Sequence, residues 1–234
     1  MKSIRDLYKI GKGPSSSHTM GPARAAEIFK SENPDAERYE VVLYGSLAKT
    51  GIGHGTDRVL RDAFAPKDVQ IVFAKHDPDD LKHPNTLDLS AFTGAEKTAS
   101  IRVESIGGGD IVVEGRPGLE PPEVYPENSF AEIAQFCAWR QVSLPQYVEM
   151  NEGPEIWDFL KDIWNAMRKE IHDGLSAEGV LPGGLNVQRK AKYLFERGHQ
   201  VDIPQVRELQ QVCAYAFAAA EQNAGNGTIV TAPT

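Results

Sequence analysis

Hydrophobic and polar positions divide the chain into two regimes. In the first, short apolar runs alternate with helical patterns. Ala25, Ala26, Ile28 and Phe29 give one apolar side to a helix over about 22–30, and Pro22 suits its first turn, where a missing N–H leaves nothing unpaired. Tyr39 to Tyr44, rich in β-branched and aromatic residues, reads as a strand, and Val69 to Phe73 as a second. Further strands are expected over Thr86–Phe92, Ala99–Ser105 and Ile111–Glu114. Gly107-Gly108-Gly109-Asp110 can turn the last two into a hairpin. Between the first two strands, Gly45 to Gly55 reads as a glycine-rich loop, and Asp57 to Phe64 resumes a helical pattern.

The second regime begins after Pro117 to Pro126, where four prolines and acidic residues suggest a linker. Ser129 can cap a helix containing Phe130, Ile133, Phe136 and Cys137. Ile156, Phe159, Leu160, Ile163, Trp164, Met167 and Ile171 recur at three- and four-residue spacing, so Glu155 to about Leu175 is expected to be one amphipathic helix. Leu181-Pro182-Gly183-Gly184-Leu185 breaks the pattern, a last helix is expected over about Gln205–Asn223, and Gly225-Asn226-Gly227 stops it. Thr228 to Thr234 then looks extended. The expected fold is α+β: an N-terminal α/β domain over 1–120, a linker and connecting helix over 121–153, and an all-helical domain over 154–234. The boundary falls near Pro121. Two large aromatic-bearing helices lack further elements to complete a core, so the helical domain is expected to be incomplete.

Composition narrows the function. The formal charge of −8 disfavours a general nucleic-acid binder, which needs a surplus of Lys and Arg against phosphates. Two cysteines, Cys137 and Cys213, at no metal-like spacing fit a reducing compartment and no disulfide framework. The N-terminus lacks the apolar centre of a signal peptide. The most apolar late run, Ala214 to Ala220, is far short of the roughly 20 residues that span a bilayer. A cytoplasmic protein without membrane or nucleic-acid partners is expected.

Two polar segments could carry chemistry. G-P-S-S-S-H-T-M-G-P, residues 13–22, places Ser15, Ser16, Ser17, His18 and Thr19 just before a helix. A helix start leaves N–H groups unpaired and attracts anions, and small hydroxyl side chains add donors without bulk. The same composition also makes a capped surface turn. G-S-L-A-K-T-G-I-G-H-G-T-D, residues 45–57, follows a strand and precedes a helix, a common place for ligands in α/β proteins. It holds Lys49, Thr50, His54, Thr56 and Asp57 among small residues, and lacks the Gly-Lys-Ser/Thr of a phosphate loop. His54 lies between glycines, so it does not fill a core, and imidazole suits proton transfer near neutral pH. A plain surface histidine is the alternative. His83-Pro84-Asn85-Thr86 is a third polar loop, no better than a turn by itself.

These segments, with S-I-G-G-G at 105–109, resemble the β domain of the iron–sulfur-dependent bacterial L-serine dehydratases (L-serine ammonia-lyases). L-P-G-G-L at 181–185 and N-G-T-I-V-T-A-P-T at 226–234 resemble the opening of that family's α domain. The resemblance implies conversion of L-serine to pyruvate and ammonia, a step in amino-acid catabolism and gluconeogenesis. It implies a [4Fe–4S] cluster on three cysteines, whose open iron acts as a Lewis acid on the serine hydroxyl. No pyridoxal phosphate or Schiff-base lysine is implied. Carried onto this chain, His54 is the proton-transferring group. Ser15, Ser16, Ser17, His18, Thr19, Lys49, Thr50 and Thr56 line the substrate pocket, Asp57 orients a neighbouring donor, and His83 and Asn85 match the family's His/Asn loop.

The family's cluster cysteines lie beyond T-A-P-T, and three thiolates are the usual minimum for such a site. Cys137 and Cys213 read as core residues of helices. No metal ligand is therefore expected in this chain, which alone is expected to be inactive: a truncated frame, or half of an enzyme whose missing α portion is another polypeptide. A homo-oligomer is the other expected association. Two further readings remain open. One is a non-catalytic serine- or carboxylate-binding module; the other is a structural or regulatory fragment whose uncovered apolar helices join another subunit.

Overall fold

The computed structural model describes residues 1–116, 122–198 and 203–231. In chain order the elements are α1 (Ile4–Leu7), β1 (Ile10–Lys12), α2 (Met20–Glu32), β2 (Arg38–Leu43), α3 (Gly45–His54), α4 (Thr56–Phe64), β3 (Asp68–Phe73), β4 (Thr86–Thr93), β5 (Glu96–Gly107) and β6 (Asp110–Val113). They continue as α5 (Phe130–Arg140), α6 (Leu144–Glu152), α7 (Ile156–Ser176), α8 (Ala191–Gly198), α9 (Pro204–Ala224) and β7 (Thr228–Val230). The α+β class and every strand expected over 39–114 are present. The expected boundary residue Pro121 lies outside the described residues, as does the first half of the proline-rich segment.

Five strands form one sheet in the order β3-β2-β4-β5-β6. β2 and β3 run parallel, joined by α3 and α4, while the remaining pairs are antiparallel. The expected hairpin closes β5 onto β6, with Gly107 opposite Asp110. Alternation along β2 sends Tyr39, Val41 and Leu43 into the core and leaves Arg38, Glu40 and Val42 half-exposed on the other face. Leu87, Leu89, Ala91 and Val103 extend this apolar surface, and Ala25, Ala26, Phe29, Leu47, Leu60 and Phe64 of the helices cover it. Tyr39 stacks on Phe64 with ring centroids 4.5 Å apart and donates its hydroxyl proton to the Asn33 carbonyl at 2.7 Å.

The glycine-rich stretch expected as a loop is helix α3. Its first amides find acceptors outside the helix: Gly45 N–H donates to the Asp77 carboxylate and Ser46 N–H to the Pro84 carbonyl, each at 2.7 Å. Burial of Leu47 and Gly51 supplies the packing that glycine's poor helix propensity does not. Gly55, left-handed at φ 73°, ends the helix and lets α4 begin at once.

In the helical half Ser129 caps α5 as expected, accepting from Glu132 N–H. Ile156 and Ile163 of the α7 stripe are buried and Phe159, Leu160, Met167 and Ile171 half-buried, but Trp164 stands outside it, 60% exposed. Cys137 and Cys213, expected in the core, are half-buried on α5 and α9. α9 exposes Leu209, Val212, Tyr215 and Phe217. Of the stretch expected to be extended, Thr228–Val230 forms β7, antiparallel to β1 with Ile10 opposite Val230 and Lys12 opposite Thr228, so the region expected to be all-helical carries a strand; residues 232–234 lie outside the described residues. This pairing brings the end of α9 to the entrance of the serine turn. No helix among the described residues is long and apolar enough to cross a membrane.

Candidate functional site

The serine turn is wound as one extra helical turn ahead of α2. The Ser15 carbonyl accepts from the amides of His18 at 3.0 Å and Thr19 at 2.9 Å, and the Ser16 carbonyl accepts from Gly21 at 2.9 Å. The fully buried Thr19 hydroxyl lies within hydrogen-bond distance of two carbonyls, Lys12 at 2.5 Å and Ser15 at 2.7 Å, and donates its single proton between them. Those amides are occupied, so the position able to receive an anion lies at the head of the turn. There the amides of Ser16 and Ser17 make no hydrogen bond among the described residues.

His18 turns inward and is 8% exposed, with four hydroxyls around its ring. Nδ1 lies 3.1 Å from both Ser15 Oγ and Ser17 Oγ; Nε2 lies 3.1 Å from both Ser46 Oγ and Thr50 Oγ1. A hydroxyl has one proton, and Thr50 donates its own to the Ser46 carbonyl at 2.8 Å. Thr50 Oγ1 therefore accepts from Nε2–H, which leaves Nδ1 to accept from Ser15 or Ser17. Both ring nitrogens are engaged.

His54, half-buried, lies over this ring with centroids 4.4 Å apart and a 31° tilt. Its Nδ1 is 2.9 Å from the Thr50 carbonyl, one helical turn earlier. A carbonyl can only accept, so Nδ1 carries the hydrogen and the neutral ring keeps its lone pair on Nε2. One imidazole is locked by its neighbours and the other presents a basic nitrogen.

Burial holds the His18 pKa below the ordinary histidine value, the charge of His54 pushes it the same way, and a bond to the Ser46 backbone opposes both. The unfolded chain then takes up a proton near pH 6.5 while folded His18 stays neutral, so stability falls as pH drops through and below 6.5. Thermal denaturation at pH 7.5 and 5.5 is expected to show a smaller acid-side loss in His18→Gln than in the parent.

The remaining expected residues divide. Thr50 joins the histidine pair. Thr56, fully buried at the α3–α4 junction, has no partner for Oγ1 among the described residues. Asp57 is half-buried in the first turn of α4, where a carboxylate is favourable, and pairs with no described donor. Lys49 points away, exposed, to Asp77 at 3.5 Å. His83 and Asn85 fold on each other, Asn85 N–H donating to His83 Nδ1 at 3.1 Å, and their loop meets the site through Pro84 and Ser46.

S-I-G-G-G enters through Ser105, whose buried Oγ has no hydrogen-bond partner among the described residues and faces Gly21 of the serine motif. A Cβ on Gly21 would stand 2.0 Å from that oxygen. Gly21→Ala is expected to cost about 1–3 kcal/mol by overpacking, read as a lowered melting temperature, and Ser105→Gly should restore part of it.

Residues 3–65 match the family model described as serine dehydratase beta chain, and residues 44–234 match serine dehydratase alpha chain. The chain belongs to the serine dehydratase family. L-serine dehydratase 2 of Escherichia coli (strain K12) is 32% identical over 100% of this chain and 63% of its own length. L-serine dehydratase TdcG of the same organism is 33% identical over 100% and 63%. The L-serine dehydratase of Streptomyces coelicolor is 30% identical over 99% and 62%. The chain thus spans about 63% of the length of the curated relatives it matches.

A serine dehydratase cluster on three thiolates does not fit the donors of this chain. Its two cysteines sit on α5 and α9, and among the described residues no three His, Cys, Asp or Glu side chains are placed to hold a metal ion. Sequence reasoning missed Ser46, which joins His18 to the His83–Asn85 loop, and Asn226 beyond α9. Ser46 lies inside the quoted motif, and the Asn-Gly pair after a helix end marks a turn, so the signals were present without showing what the residues touch.

Proposed function

We propose that this chain forms the substrate-side part of an L-serine ammonia-lyase, with the serine turn as carboxylate cradle and His54 as base. The observation that carries the reading is the tilted histidine pair, of which only His54 keeps an imidazole nitrogen without a hydrogen-bond partner among the described residues. The amides of Ser16 and Ser17 and the Ser16 hydroxyl receive the serine carboxylate. Ser15 and Ser17 hold His18, and His18 fixes the face on which His54 rests. Thr50 serves both rings, accepting from His18 through its hydroxyl and from His54 through its carbonyl.

His54 Nε2 takes the Cα proton of L-serine and gives it up to the departing hydroxyl, which leaves as water, so that the ring returns to its neutral form. The resulting 2-aminoacrylate tautomerises and takes up water, giving pyruvate and ammonia. Departure of the hydroxyl needs an electrophile that none of these side chains supplies, which fits a lyase completed by further protein. The same shortage of donors favours a second reading, in which the pocket binds serine without converting it. Pyruvate release under anaerobic conditions separates the two.

Calorimetric titration tests the shared claim. L-serine is expected to bind, and Ser16→Ala to weaken binding about tenfold or more, as for loss of a hydrogen bond to a charged group. Failure of the parent chain to take up L-serine contradicts both readings. Equal affinity in Ser16→Ala removes Ser16 from the cradle.

A further inference from the structure

Between the end of α9 and β7, Asn226 adopts φ 58°, the left-handed region that asparagine tolerates better than most residues with a side chain. With its amide nitrogen turned to them, it donates to the carbonyls of Gly13 and His54, each at 3.1 Å. A primary amide has two N–H donors, so both carbonyls are served at once. His54 closes α3, and its carbonyl is one of those a helix end leaves without an internal partner. Gly13 opens the serine turn, and its own N–H donates to the Gly227 carbonyl at 3.2 Å. Residues 226 and 227 therefore grip Gly13 from both sides, while the Asn226 side chain reaches across to the histidine helix. Gly55 leaves the room this requires: a Cβ there would stand 2.7 Å from the Asn226 amide.

We propose that Asn226 is a positioning residue, a two-pronged clamp that sets the serine turn and the backbone of His54 at a fixed separation and so holds the His54 ring in its working tautomer. The chain of causes is short. The His54 carbonyl is tied to Asn226, and its ring is tied to the Thr50 carbonyl, the two ends of the last turn of α3. Release of the first bond frees that turn, and with it the bond that places the proton on Nδ1. This deepens the reading of His54 as the base, because only the Nδ1–H tautomer leaves Nε2 free to accept. It also gives the N-G-T-I-V-T segment a part in the site although it lies far from the two motifs in sequence.

The test is nitrogen-15 NMR of the imidazoles at pH 7.5 without ligand, with His54 assigned through His54→Gln. Asn226→Gly keeps the left-handed backbone and removes both donors. Asn226→Asp keeps the shape and sets carboxylate oxygens against two carbonyls. The parent is expected to show His54 as the Nδ1–H tautomer, and both variants to show the averaged signals of an unconstrained ring, with His172 on α7 unchanged as control. A single Nδ1–H tautomer persisting in Asn226→Gly overturns the proposal. Should both variants unfold, the parent itself decides: the Asn226 amide protons are expected to exchange at least about tenfold more slowly than those of an exposed asparagine, and free exchange overturns the clamp. Because no ligand is present, a chain that binds no serine refutes the proposed function and leaves this inference standing.

Discussion

Under the proposed function, His54→Ala is expected to lower lyase turnover by about 10²–10⁴-fold, the usual contribution of a positioned proton-transfer group. Pyruvate release measures it, and the loss should fall on kcat rather than KM. The reason lies in the division between the two imidazoles. His18 has two hydroxyls at each ring nitrogen and a pKa held down by burial, so it neither offers a lone pair nor gains a charge easily. His54 spends Nδ1 on a carbonyl and leaves Nε2 to the site. His18→Asn, which keeps one donor and one acceptor in the cluster, should cost less than His54→Ala. Near-normal turnover in His54→Ala would remove His54 from the mechanism.

Tyr39→Ala is expected to have the largest effect on stability, about 3–5 kcal/mol as for other large aromatic truncations. Tyr39 is 1% exposed, lies between Phe29 and Phe64 with centroids at 6.1 and 4.5 Å, and bonds the Asn33 carbonyl. Truncation removes the ring that α2 and α4 share with β2 and takes from the Asn33 carbonyl the shorter of its two hydrogen bonds, leaving the Ala36 amide at 3.3 Å. Against a typical reserve of about 5–15 kcal/mol this is a large fraction. Chemical denaturation should show the loss as a lower midpoint. A cost below about 1 kcal/mol would mean that the helices close over the cavity and that the core beneath the site is more plastic than its packing indicates.

Much of this architecture was legible in the sequence because alternation reports burial directly. Tyr39, Val41 and Leu43 face the core at the period the pattern predicts, and Ser129 caps α5 as its position before an apolar run suggests. Helix α3 was not legible. Its glycines argue against helix, and what overrides them comes from Asp77 and Pro84, 32 and 38 residues beyond the amides they hold. Helix α6 carried a readable signal that went unused, the Ser143 and Gln146 capping box with a proline in the first turn. In the site, residue types were legible and directions were not. Lys49 and Thr50 are neighbours in one motif, yet α3 turns Lys49 to Asp77 and Thr50 to the histidines. The contribution of Asn226 depends on a pairing of β1 with β7 across more than two hundred residues, which no local pattern encodes.

The most direct test of the central claim, that the serine turn and His54 form one L-serine pocket, is a titration of the histidine-labelled chain with L-serine and with D-serine, followed by NMR. The account predicts saturable shifts at His54 and His18 with L-serine, weaker shifts with D-serine, and none at His172 or His76. An unmoved His54, or equal responses at His54 and His172, would contradict it.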